Sequence, residues 1–232
     1  MTKILFICWG NICRSPAAAL LFTDMVRRAG LESEFFAASA GVSDEEEGHG
    51  VYPPMRRLLE AKGIDCSAHR ARKLRAEDAE DYDLLICMDE MTIGRTRRLI
   101  GPFGEEEKIR NLLDYAGRKG EEIDDPWYTR EFELAMSEIE EGCRGLLETL
   151  TGPVTLDFSR CGAREELYAE LREKMRWKSW YGSNLDALWD VLTGLEYEGR
   201  SFRILLPPEE SPLNSYARLV RETFREAGKL EE

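Results

Sequence analysis

Nowhere in the 232 residues does an apolar run approach the roughly 20 positions that a membrane-spanning helix requires, which argues against an integral membrane protein. The first apolar stretch, Ile4 to Cys8, is too short for the hydrophobic segment of a secretory signal. Without an export signal, the six cysteines read as thiols of a reducing, cytoplasmic compartment. Basic charge is also scarce: 32 Lys and Arg stand against 45 Asp and Glu, a formal net charge of −13. A general nucleic-acid binder needs the opposite balance to neutralise phosphates, so direct nucleic-acid binding is not expected. Internal repeats and low-complexity tracts are missing too, which excludes a solenoid or an array. What is present excludes disorder, because five Trp, eight Tyr and nine Phe are spread along the chain. The length suits two domains better than one, and it buries a core without help from disulfides or metal.

The acid is unevenly placed. Residues 1–150 carry 20 basic against 30 acidic side chains, net −10, and residues 151–232 carry 12 against 15, net −3. Part of it lies in the runs Asp44–Glu47 and Glu105–Glu107, whose ordinary meaning is a solvated loop or helix end rather than a docking patch.

Ile4–Cys8 has the continuous apolar character of a buried parallel strand. It breaks at Gly10-Asn11, and Ser15-Pro16 predicts a helix start, Ser as N-cap and Pro at the first helical position, for a helix over Ala17–Ala29 closed by Gly30. Further strands are expected at Phe35–Ala40, Leu84–Met88 and about Lys108–Leu112, with helices at Met55–Ala61 and Phe132–Leu150. Such alternation predicts an α/β domain on a mostly parallel sheet. Thr151-Gly152-Pro153 then stops the chain and sets a boundary, giving domains 1–151 and 152–232. The second is a smaller α/β unit, with strands at Val154–Phe158 and Phe202–Leu206 and helices at Arg164–Met175, Leu185–Leu192 and about Leu213–Ala227.

Cys8-Trp9-Gly10-Asn11-Ile12-Cys13-Arg14-Ser15 places five residues between a Cys and an Arg. A loop curled around a phosphate at this spacing sets a thiolate under phosphorus and an Arg fork on two equatorial oxygens. Backbone N–H groups and the following helix N-terminus complete the cradle, and the same field favours the nucleophilic thiolate. Cys66 and Arg72 share the spacing, but no apolar strand precedes Cys66, no Gly lies between them and no cap follows. Context therefore selects Cys8.

These residues resemble the phosphate loop of the low-molecular-weight protein tyrosine phosphatases. The resemblance runs over about residues 3–150, through Ser39-Ala40-Gly41, Met88-Asp89 and Asp125-Pro126-Trp127. It implies an N-terminal doubly wound parallel sheet in which Cys8 attacks phosphorus and Arg14 clamps the transition state. Asp125 would protonate the leaving phenolate and then activate the water that frees the enzyme. By composition alone Asp124 would serve equally, and only the alignment to the residue before Pro selects Asp125. Asn11 and Ser39 would hold the loop, with Gly10, Ile12 and Cys13 as further loop members, and the Ser15 hydroxyl would stabilise the departing thiolate. Cys13 resembles the second loop cysteine that forms a reversible disulfide with the nucleophile; read alone it is a small buried hydrophobe. No metal or cofactor is implied. His69 matches a family position near the site, and a purely structural His is an equal reading.

Trp9, Trp127 and Tyr128, with Tyr52 as a further candidate, would wall a cleft for an aryl phosphate. A deep aromatic cleft favours phosphotyrosine, on a protein substrate, over the shorter phosphoserine. His49, in the acidic loop, is a candidate for the mouth of that cleft, with a solvent-exposed ring as the preferred reading. The same fold hosts arsenate reductases, which need a further cysteine pair that is not found after Cys87, and phosphoarginine phosphatases, which carry Thr where Ile12 stands.

In the second half, Trp180-Tyr181-Gly182-Ser183-Asn184-Leu185-Asp186-Ala187-Leu188-Trp189-Asp190 resembles barstar, the inhibitor of the ribonuclease barnase, over about residues 153–228. Asn184 would cap a short helix, with Leu185, Leu188 and Leu192 toward the core. Asp186 and Asp190 would share the face that enters a basic ribonuclease site; two acids near a helix start that merely suit the macrodipole are the plainer reading. Trp177, Trp180 and Trp189 are taken as core or interface anchors. Two departures stand out: Arg218 occupies the place of an interface acid, and the further strand that closes barstar is not expected. An antitoxin-like ribonuclease-binding protein with a regulatory or inactive first domain is the competing reading of the whole chain.

Overall fold

The computed structural model describes residues 1–101, 106–175, 182–194 and 201–231. It divides into two compact units, Met1–Leu147 and Glu148–Glu232. Trp177, Trp180, Tyr181 and Glu105, all named above, lie outside the described residues.

Ile4–Ile7 are fully buried, because strand β1 (Thr2–Cys8) runs between two parallel neighbours and under helices. It pairs with β2 (Phe35–Gly41) in a register that ends Cys8 opposite Gly41, and on its other side with β3 (Leu84–Cys87). β4 (Ile109–Asn111) adds to β3, so the four-stranded parallel sheet has the order β2-β1-β3-β4. The strand order reverses at β1, whose carboxyl end is therefore the crevice where open α/β sheets bind ligands.

Helix α1 (Arg14–Arg28) begins before the predicted start, and its N-cap is Cys13 rather than Ser15. The physical reason is that the Ser15 hydroxyl is engaged by the preceding loop, and no side chain caps the first turn. Gly30, at φ +66°, ends it in the left-handed region that favours glycine. α2 (Pro53–Ala61) starts two residues before its predicted position. Three helices were not foreseen: α3 (Asp78–Asp81), α4 (Glu90–Ile100) and α5 (Pro126–Thr129). In α4 an Asp89 carboxylate accepts the Thr92 N–H while the Thr92 hydroxyl accepts that of Asp89, a reciprocal cap.

α6 (Phe132–Thr151) buries Phe132, Met136, Ile139, Cys143, Leu146 and Leu147, the predicted face. Two glycines let it approach the tight turn Leu112–Ala116 that follows β4. A Cβ added at Gly145 would stand 2.0 Å from the Tyr115 carbonyl oxygen. Gly145→Ala is thus expected to destabilise the first unit by about 1–3 kcal/mol, the usual cost of overpacking, read as a lower urea midpoint. A midpoint unchanged from wild type would refute this packing.

In the second unit, β5 (Val154–Asp157) and β6 (Phe202–Leu205) pair in parallel. α7 (Arg164–Lys174), α8 (Leu185–Thr193) and α9 (Asn214–Glu226) supply Leu171, Leu188, Leu192 and Phe224 to a core that also holds Phe158, just past β5. The Asn184 side chain caps α8 as predicted, accepting the Ala187 N–H at 2.8 Å. One expectation is corrected here. After α9 the chain returns to the sheet, where Leu230 bridges Phe202 in parallel and the Glu231 N–H donates to the Phe202 carbonyl at 2.8 Å. Backbone pairing on the open side of β6 thus partly replaces the strand that was not expected.

Candidate active site

The loop from Cys8 to Arg14 leaves the carboxyl end of β1 and turns straight into α1. Its tight curl needs two special positions. Asn11 has φ +58°, unusual for a non-glycine residue, and is held there by its own side chain. The Asn11 amide donates to Ser15 Oγ at 3.0 Å and accepts the Arg72 backbone N–H at 3.0 Å, while its carbonyl accepts His69 Nε2–H at 2.7 Å. Gly41 is the second position, since a Cβ there would lie 2.7 Å from the Trp9 carbonyl oxygen.

Cys8 Sγ lies 2.9 Å from Ser15 Oγ, and the same hydroxyl reaches the Ala40 carbonyl at 3.2 Å. Ser15 therefore ties the sulfur, the loop and strand β2 together. Arg14 is 1% exposed, yet its guanidinium is almost fully engaged. One arm donates to Asp89 at 2.5 Å and to the Ile123 carbonyl at 2.8 Å; the other donates to Asp125 at 2.9 Å. Only Nε is left without a partner among the described residues. Burial opposes its charge, but Cys8, Asp125 and Asp89 together hold the group more firmly protonated than an ordinary arginine. Burial, then the electrostatic influence of Cys8 and Asp125, pushes the Cys13 thiol far up, so Cys13 stays protonated beside Cys8. Cys8 and Cys13 are both free thiols. Burial likewise lowers the His69 pKa, which suits a neutral ring donating to Asn11.

Above this floor opens a cleft of about 200 Å³. Cys8, Trp9, Gly10, Ile12, Cys13, Arg14 and Asp125 line it, together with Tyr52, Trp127, Tyr128 and Phe132. Tyr52 meets Trp127 edge-on at 5.2 Å between ring centroids and lies 5.7 Å from Phe132. Asp125 caps α5 by accepting the Trp127 N–H at 3.1 Å, which points its other oxygen at Arg14. Asp124, its equal by composition, is exposed to solvent.

Several sequence expectations change. His49 is not among the residues that line the cleft; its ring is exposed and bonds Glu46, which does line it, at 2.7 Å. Ser39 makes no hydrogen bond to the loop among the described residues, and Ser15 reaches the Ala40 carbonyl instead. Glu45 and Glu46, read from the run as solvated, line the cleft. Asp89 and the Ile123 carbonyl were missed as Arg14 partners; a lone Asp at a strand end was the available signal. In the second unit Asp186 and Asp190 are exposed on α8, and so is Trp189, at 40%, which removes it from the core. Arg218 donates to Asn214 and Glu209. No helix among the described residues is long and apolar enough to cross a membrane.

The family model for low molecular weight phosphotyrosine protein phosphatase matches residues 3–155, and that for Barstar (barnase inhibitor) matches residues 152–229. The low molecular weight protein-tyrosine-phosphatase YfkJ of Bacillus subtilis is 36% identical over 151 residues, 65% of this chain and 96% of that protein. Its crystal structure superposes with a TM-score of 0.62 at 35% identity, covering 65% of this chain and 95% of YfkJ. A Drosophila arginine phosphatase superposes at 0.60 with 28% identity, over 65% of this chain and 99% of that one. The chain therefore belongs to the low molecular weight phosphotyrosine protein phosphatases, a family of hydrolases, and carries a Barstar domain after the phosphatase fold.

Proposed function

We propose that residues 1–151 hydrolyse phosphotyrosine on a protein substrate through a cysteinyl-phosphate intermediate, and that residues 152–232 form a protein-binding module. The observation that carries the first half is the convergence of Cys8, Arg14 and Asp125 on one aromatic-walled cleft. In the first step Cys8 Sγ bonds phosphorus as the aryl P–O bond breaks, and protonated Asp125 gives its proton to the leaving phenolate. Arg14 turns its fork from Asp125 to the equatorial oxygens, and the loop N–H groups hold the remaining charge. Water then attacks phosphorus, Asp125 takes its proton, and the S–P bond breaks to return the thiolate to the Ser15 hydroxyl. Asn11 keeps the loop in its strained turn throughout. Aromatic walls favour an aryl ester over the phosphoarginine reading. Six free thiols accord with a cytoplasmic setting.

Asp125→Asn tests the proton donor. Turnover should fall about 10²–10⁴-fold, the usual worth of general acid catalysis, and more steeply for phenyl phosphate than for para-nitrophenyl phosphate, whose phenolate leaves without help. Equal losses on both esters would remove Asp125 from that role.

For the second half, Asp186 and Asp190 on one exposed face of α8 support binding of a basic ribonuclease. Barnase titrated into the full chain should give a salt-sensitive complex, weakened on the order of ten-fold by Asp186→Ala or Asp190→Ala. Binding that neither substitution changes would take those carboxylates out of the interface.

A further inference from the structure

The acidic run Asp44–Glu47 is used by none of the chemistry above, yet the fold brings two of its members to the rim of the catalytic cleft. Glu45 is held there, because Oε2 accepts the Trp9 indole N–H at 3.0 Å. The Trp9 ring is fixed in turn by the Arg95 guanidinium, 4.4 Å from its centroid. Glu46 leans over the phosphate loop: a Cβ at Gly10 would stand 3.1 Å from Glu46 Cγ, and the carboxylate takes the His49 ring. Of the charged side chains lining the cleft among the described residues, Arg14 and Asp125 belong to the reacting centre. The two that remain are both negative.

A bound phosphoryl group is answered by the loop amides and Arg14 beneath it. The peptide that carries it must leave over the rim, where Glu45 and Glu46 are the charged side chains that line the cleft beyond the reacting centre among the described residues, while the guanidiniums of Arg95 and Arg130 are stacked on the Trp9 and Trp127 walls. The rest of the phosphatase half points the same way, with residues 1–150 at net −10. A field of one sign around a cleft raises the encounter rate of oppositely charged partners and lowers that of like-charged ones.

We infer that Glu45 and Glu46 set a charge preference in the protein substrate, selecting phosphotyrosine flanked by Lys and Arg and discriminating against phosphotyrosine flanked by Asp and Glu. This rests on the phosphotyrosine reading above and adds the class of substrate to it.

The test uses the full chain and two phosphotyrosyl peptides of equal length, one with lysines and one with glutamates on both sides of the phosphotyrosine. The readout is the ratio of their kcat/KM values, so a change in overall turnover does not bear on it. Wild type should favour the lysine peptide by about ten-fold at low ionic strength, the sum of several exposed charge pairs, and the ratio should shrink as salt screens it. In Glu45→Gln/Glu46→Gln the ratio should fall to about two- or three-fold, the residue left by the net charge of the domain. The glutamines keep an acceptor for the Trp9 indole. A wild-type ratio near one, or a ratio that the double variant leaves intact, overturns the inference while turnover of an aryl phosphate leaves the phosphatase reading standing. A chain that turns over neither peptide nor aryl phosphate overturns both.

Discussion

Cys8→Ser is expected to abolish hydrolysis of para-nitrophenyl phosphate, by about 10⁴-fold or more, while leaving the domain folded and the phosphate loop able to bind inorganic phosphate. An alcohol of ordinary acidity is a poor nucleophile at neutral pH, and among the described residues no basic side chain is hydrogen-bonded to Cys8 to activate it. Its neighbour is the Ser15 hydroxyl at 2.9 Å, which stabilises negative charge but does not abstract a proton at neutral pH. The fold should tolerate the change because Ser is close in size to Cys and keeps a group that bonds Ser15. The anion cradle proposed above would draw on backbone N–H groups, the start of α1 and Arg14, none of which the substitution changes. Steady-state kinetics and phosphate titration measure the two arms separately. A serine variant that retains even a hundredth of wild-type turnover would place the nucleophile elsewhere.

Arg14→Met should cost both turnover and stability, and a second substitution should separate the two. Arg14 is buried, and it neutralises Asp89, itself 7% exposed, besides satisfying the Ile123 carbonyl. Removing one partner of a buried pair leaves the other charge uncompensated, a loss of about 3–5 kcal/mol. Activity should drop about 10³-fold or more, because the planar fork that answers the transition-state charge is gone. Arg14→Met/Asp89→Asn should regain part of the stability, since Asn carries no charge and still accepts the Thr92 N–H that caps α4. It should regain no turnover. Urea midpoints and kcat report the two outcomes, and recovery of activity in the double variant would contradict the clamp.

What was legible in the sequence was local. The run Ile4–Cys8 announced a strand buried on both faces, and Gly10-Asn11 followed by Ser15-Pro16 announced a loop entering a helix. The partners of Arg14 were not legible, because they lie 75 to 111 residues away and are brought to it by β3 and the chain that follows β4. Helix α4 was hidden by its own composition. Its buried positions are Thr92, Ile93, Thr96 and Ile100, so two polar threonines stand where an apolar stripe would be sought. Ser15 misled in a different way. Its type and place before Pro16 suit a cap, but the hydroxyl is worth more to the sulfur and to Asn11 than to an open amide. The acidic run shows the same limit, since adjacency in sequence said solvent and the fold said rim. Its neighbour in space, Trp9, is 36 residues away.

The central claim is that phosphate passes through a covalent bond to Cys8. Rapid acid quench of the enzyme during turnover of a labelled aryl phosphate, followed by peptide mapping, tests it most directly. The expected result is S-phosphocysteine on the peptide that contains Cys8, formed within the first turnover and missing from Cys8→Ser. Label on any other residue, or steady turnover with no trapped label at all, would contradict the account.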